Sequence, residues 1–156
     1  MDSKVNFEKL EKEIVEIIQN ELNIKDKLLS ICKLLKNSVE YYDWVGFYFV
    51  KNKRNLVLGP FVGDDTEHKK IKFGEGVCGQ AAKLEKTFVI QDVSKENNYL
   101  SCSPSVVSEI VVPMFKNNKV IGEIDIDSHS FSPFTKEDKI FLERIAKILS
   151  DKDLYL

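Results

Sequence analysis

The amino-acid sequence predicts an α+β fold, a mainly antiparallel sheet with helices at both ends of the chain. Three observations carry this. Helical apolar periods occupy both ends, aromatic and β-branched runs fill the middle, and two hairpin turns separate those runs. At 156 residues the chain fits one domain, taken as 1–156, with 1–42 holding the N-terminal helices and 43–150 the sheet core and closing helix.

The first helix is read from Phe7, Leu10, Ile14, Ile17 and Ile18, the second from Leu28, Ile31, Cys32, Leu35 and Val39, with residues 23–25 dividing them. Cys32 lies on the second stripe and reads as a small buried hydrophobe. From Trp44 to Val50, a turn at 51–54 and a run from Asn55 to Phe61 read as a β-hairpin. A polar loop and a short strand at 71–73 follow. Gly74 and Gly76 then bend the chain into a helix carrying Cys78, Ala81 and Ala82. Residues 87–90 form another strand, 92–108 a long loop, and Asn117-Asn118 turns a last hairpin of 110–115 and 120–128. Thr135 and Asp138 open a capped closing helix whose buried face is Ile140, Phe141, Ile145, Ile148 and Leu149.

Composition narrows the function. Net charge is −2 with mixed signs, so no basic stripe serves nucleic acid. No apolar stretch reaches membrane-spanning length and the N-terminus lacks a signal core, so no membrane partner is expected. Three cysteines without a Cys-x-x-Cys pair indicate neither a disulfide framework nor a zinc ribbon, which places the chain in a reducing cytoplasm.

The chemistry-bearing residues are two thiols and a set of carboxylates. Cys78 opens a helix between glycines, where free N–H groups and the helix dipole favour a thiolate. Cys102 precedes Ser103-Pro104, which reads as a second helix start, although either thiol could equally be inert packing. Strand alternation puts Ile121, Glu123, Asp125 and Asp127 on one face and Val120, Ile124 and Ile126 on the other. That acidic row reads either as a solvated sheet face or as a site at the strand's end. With a plain two-residue turn, Glu109 falls opposite Ile126 and faces away from the aspartates. A bulge near Pro113 would turn it toward them. A metal site from Cys78, Cys102, His68 and His129 matches no zinc spacing, and both histidines read as loop residues.

The runs Trp44-Val45-Gly46-Phe47-Tyr48, Leu58-Gly59-Pro60-Phe61, Gly76-Val77-Cys78-Gly79, Asp92-Val93, Ser108 to Pro113 and Asp125-Ile126-Asp127-Ser128 resemble the free methionine-(R)-sulfoxide reductase family of GAF domains. The resemblance implies a cytoplasmic, dimeric enzyme that reduces the R sulfoxide of free methionine, needs no metal or organic cofactor, and is recycled by thioredoxin. Carried over, Cys102 is the nucleophile and Cys78 the resolving thiol. Glu109, Asp125 and Asp127 hold the ammonium and protonate the sulfoxide oxygen, and Trp44 and Tyr48 wall the methyl group. Two positions depart from the family pattern. His68 stands where a further cysteine is common, and Ser103 replaces an aspartate beside the nucleophile. A non-catalytic GAF module that binds a small ligand or senses redox state, and a dimerisation scaffold built on the N-terminal helices, remain alternatives.

Overall fold

The computed structural model describes residues 4–100 and 104–156. Helices α1 (Phe7–Gln19) and α2 (Ile24–Ser38) lead into strands β1 (Trp44–Lys51), β2 (Asn55–Val62) and β3 (Lys70–Lys72). Helix α3 (Gly76–Leu84), strand β4 (Phe88–Ile90), a 3-10 turn at Val93–Lys95, strands β5 (Ser108–Lys116) and β6 (Lys119–Ser128), and helix α4 (Lys136–Asp151) follow. The strands form one antiparallel sheet in the order β3-β2-β1-β6-β5-β4.

Local chemistry accounts for the ends of these elements. Asn6 and Asn23 cap α1 and α2 by accepting the backbone N–H groups of Lys9 and Asp26. Thr135 and Asp138 form the reciprocal capping box of α4, and Asp138 also accepts the hydroxyls of Tyr41 and Tyr42, at 2.9 and 2.5 Å. Asn117 and Asn118, both at positive φ, make the β5–β6 turn.

One face of the sheet is covered by α1, α2 and α4. There Val45, Phe47, Phe49, Ile110, Val112, Met114, Ile124 and Ile126 pack with the apolar stripes of the three helices. Cys32 is wholly buried among them, its thiol donating to the Pro60 carbonyl at 3.6 Å, as its place on the stripe implies. Ile140 is a correction. It is 48% exposed, because the inward face of α4 passes through Phe141, Leu142, Ile145 and Leu149 and leaves it on the outer edge.

The opposite face holds a second cluster, Trp44, Tyr48, Leu56, Ile71, Val77, Cys78, Ala81, Ala82 and Val111, under α3 and the loops around it.

Candidate functional site

Strand pairing assembles the acidic row. Across β1 and β6, Trp44 lies opposite Asp127, Gly46 opposite Asp125 and Tyr48 opposite Glu123. Across β5 and β6, Glu109 lies opposite Asp127 and Val111 opposite Asp125. Directly opposed residues share a face, so Glu109, Glu123, Asp125 and Asp127 all project toward α3. The plain-turn register, which sets Glu109 against Ile126, is therefore corrected. The pairing starts as Lys116 with Lys119 and Phe115 with Val120, then jumps to Met114 with Gly122, leaving Ile121 as one extra residue. This bulge, one step from Pro113, flips the faces of everything beyond it. It also reverses the alternation expected at its own position, since Ile121 packs with the helical core and Val120 with the α3 cluster.

The row is buried, not solvated: Glu109, Glu123, Asp125 and Asp127 are each at most 3% exposed. Cys78 sits in the first turn of α3, on top of them, and its thiol donates toward Glu109 Oε2 at 3.9 Å. The Cys78 sulfur and one carboxylate oxygen each from Glu109 and Asp125 lie within 4.8 Å of one another. Burial, reinforced by Asp125, Glu109, Glu123 and Asp127, drives the Cys78 thiol well above its usual range. The helix start does not make it a thiolate, because desolvation and four nearby carboxylates outweigh a dipole effect of about 1 kcal/mol.

The carboxyls are raised as well. Glu109 is held well above the carboxylate range, first by burial and then by the charges of Asp125 and Asp127. Burial and then the charge of Asp125 do the same to Glu123, and burial raises Asp125. The cluster thus keeps its protons to a higher pH than exposed carboxyls do, which suits it to protonating an oxygen of something bound against it.

The turn over this cluster depends on glycine. Gly76 has φ of 62°, and a Cβ there would meet Leu100 at 2.9 Å. Asn98 clamps the same turn, accepting from Gly76 N at 2.9 Å and donating to Gly74 O at 2.7 Å. Gln80 adds a bond to the Gly76 carbonyl at 2.8 Å. On the far side, Trp44 Nε1 donates to the Asp64 carbonyl at 2.9 Å and the Tyr48 hydroxyl to the His68 carbonyl at 2.7 Å, so both rings pin the 63–69 loop to the sheet. Gly46 leaves room for Trp44 between them, since a Cβ there would meet the indole at 2.5 Å.

A cavity of about 10 Å³, roughly the space of one water, lies between these parts. Tyr48, His68, Cys78, Leu100, Glu109 and Asp125 are among its lining residues. An amino acid enters it only if wall residues such as Leu100 shift. Trp44, stacked on Phe61 at 5.4 Å between ring centroids, is on the same face but outside the lining. Asp127 is buried on that face beside Glu109. Cys102 and Ser103 lie outside the described residues, and so does the expected approach of Cys102 to Cys78. Sequence reasoning missed Asn98 and Leu100, which sit in a polar loop with no periodicity. It noted Glu123 in the acidic row without assigning it to the site, and the alternation was the signal.

The GAF domain family matches residues 13–151 of this chain. The chain is 36% identical over 145 residues to GAF domain-containing protein A of Dictyostelium discoideum, covering 93% of this chain and 90% of that one. It is 32% identical over 148 residues to the free methionine-R-sulfoxide reductase of Escherichia coli, covering 92% and 88%. Its fold is similar to the crystal structure of the Neisseria meningitidis free methionine-R-sulfoxide reductase in complex with its substrate, with a TM-score of 0.89, 33% identity, and 97% and 93% coverage. A whole-length family match, relatives of this similarity and a shared fold lead to one conclusion: the chain belongs to the GAF domain family and, within it, to the free methionine-R-sulfoxide reductases.

Proposed function

We propose that this chain reduces free methionine (R)-sulfoxide to methionine in the cytoplasm, as a homodimer recycled by thioredoxin. The observation that carries the reading is the convergence of Cys78 with buried Glu109, whose pKa is raised by burial, and with Asp125 on one cavity. The Cys102 thiolate attacks the sulfoxide sulfur while Glu109 delivers a proton to the oxygen, which transfers to Cys102 as a sulfenic acid and releases methionine. The Cys78 thiol then displaces water from the sulfenic acid, and the dithiol of thioredoxin reduces the resulting disulfide. The remaining carboxylates, Asp125 and Asp127, hold the substrate ammonium. Tyr48 and Trp44 confine the methyl group and anchor the loop that carries His68.

Because Cys78 is protonated when buried, its role is the later one. It becomes nucleophilic only once a proton acceptor or a rearranged pocket lowers its pKa. A thioredoxin-coupled assay with the two sulfoxide epimers tests the reading. The R epimer is turned over and the S epimer is not. Cys102→Ser abolishes even a single turnover, whereas Cys78→Ser retains one stoichiometric turnover and leaves a sulfenic acid that a trapping reagent labels. Undiminished single turnover in Cys102→Ser would overturn the mechanism, and no turnover of either epimer would favour a non-catalytic GAF module. Sedimentation across a range of concentrations checks the dimer.

A further inference from the structure

Glu123 is the least explained group of the acidic row. It is wholly buried, shares the face of Asp125, and among the described residues its carboxylate oxygens have no close hydrogen-bond partner beyond the neighbouring Cys78 thiol. A buried carboxylate in this condition is costly unless a cation or proton meets it. Among the described residues, no salt bridge engages Glu109, Glu123 or Asp125. Nearby, the Cys78 sulfur and one oxygen each from Glu109 and Asp125 already lie within 4.8 Å of one another, beside a cavity the size of a single small body.

We propose that this pocket is also a binding site for one thiophilic divalent cation, with Cys78, Glu109 and Asp125 as ligands and the buried Glu123 beside them as the fourth. The donor set selects the ion. One sulfur and three carboxylates in a tight, closed space suit four-coordinate Zn²⁺. Mg²⁺ holds to six hard oxygen ligands, and Ca²⁺ takes six to eight. Binding exchanges protons for the ion: the thiol proton and any carboxyl protons leave to solvent as the metal–sulfur and metal–oxygen contacts form, with no change of oxidation state. The ion needs less displacement of the cavity wall than an amino acid does. It also occupies the same carboxylates and thiol, so it competes with the sulfoxide. The competition rests on the proposed function. The binding does not.

The test starts with the reduced, chelator-stripped full chain. Titration with Zn²⁺ against a chromophoric chelator should show one equivalent bound, and Glu123→Gln and Cys78→Ser should each weaken it by at least about tenfold. Co²⁺ bound to the wild-type protein should give a thiolate-to-metal charge-transfer band that Cys78→Ser removes, a readout that does not depend on how Glu123→Gln folds. Mg²⁺ should not displace Zn²⁺. Absence of zinc uptake by the wild-type chain, affinity unchanged in both variants, or a charge-transfer band that survives Cys78→Ser overturns the site. In the reductase assay, Zn²⁺ should inhibit and excess methionine sulfoxide should protect. Full turnover at saturating zinc also overturns the location. Absence of turnover without zinc counts instead against the proposed reaction and leaves the binding result standing.

Discussion

The two faces of the central sheet are built from the same strands and are buried to the same degree, yet they differ in kind. On the helical side, Phe47, Ile124 and Ile126 meet α1, α2 and α4, and these apolar side chains gain from leaving water. On the α3 side, alternate residues of β5 and β6 bury Glu109, Glu123, Asp125 and Asp127. That side holds ionisable groups out of water at a cost in stability, which the apolar face offsets. Stability and chemistry are thus divided between the faces, and a strand of alternating apolar and acidic residues can serve both.

The largest effect should come from breaking the apolar side. Phe47→Ala, at a site with no solvent exposure, should cost about 3–5 kcal/mol in urea unfolding. A cost below about 1 kcal/mol would mean that the helical face is not the main source of stability.

On the acidic side the cost of burial depends on pH. Glu109, Glu123 and Asp125 have folded pKa values above their unfolded ones, so their stabilising protonated state is fully present below about pH 4 and is lost as pH rises through the raised values. The exposed Glu137 and Asp92 shift the other way, where solvent screens them. Stability should therefore fall as pH rises above about 4. Glu123→Gln should flatten the fall by up to about 1.4 kcal/mol per pH unit wherever Glu123 alone is titrating. A profile identical in the variant would show that Glu123 ionises in the folded state as it does in the unfolded chain.

The smallest effect belongs to neither face. Arg144→Ala removes the exposed pair with Glu11, at 2.7 Å, and should leave stability nearly unchanged, because solvent and salt screen the pair. A larger loss would mean that α1 depends on that pair for docking against α4.

Much of the fold was legible because its signals are local. Asn117-Asn118 sets a turn by positive φ, Thr135 with Asp138 caps a helix, and the stripe through Ile14 and Leu35 marks what the sheet must cover. The carboxylates were legible as a row. Their burial was not, since the cover comes from α3 and from loops whose packing no strand pattern encodes. Nor was the face of Glu109, because alternation is read by parity and a single extra residue reverses it. Gly122 and Pro113 hint at irregularity without locating it at Ile121. The helix dipole's pull on the Cys78 thiol is outweighed for a related reason. A helix N-terminus is visible in sequence, whereas the four carboxyls beneath it are brought there by other strands.

The bulge at Ile121 works like a frameshift in a reading frame. Between it and Ser128, each residue of β6 faces the side that the frame assigns. An odd number of residues added or removed in that stretch would send Asp125 and Asp127 into the helical core, at several kcal/mol for each charged group. Changes at the Asn117-Asn118 tip lie before the frame is set and are absorbed by the turn, at about 1–3 kcal/mol for a strained residue. The tip of this hairpin is therefore the place where the chain can be lengthened, for a tag or a tether, without turning the pocket inside out.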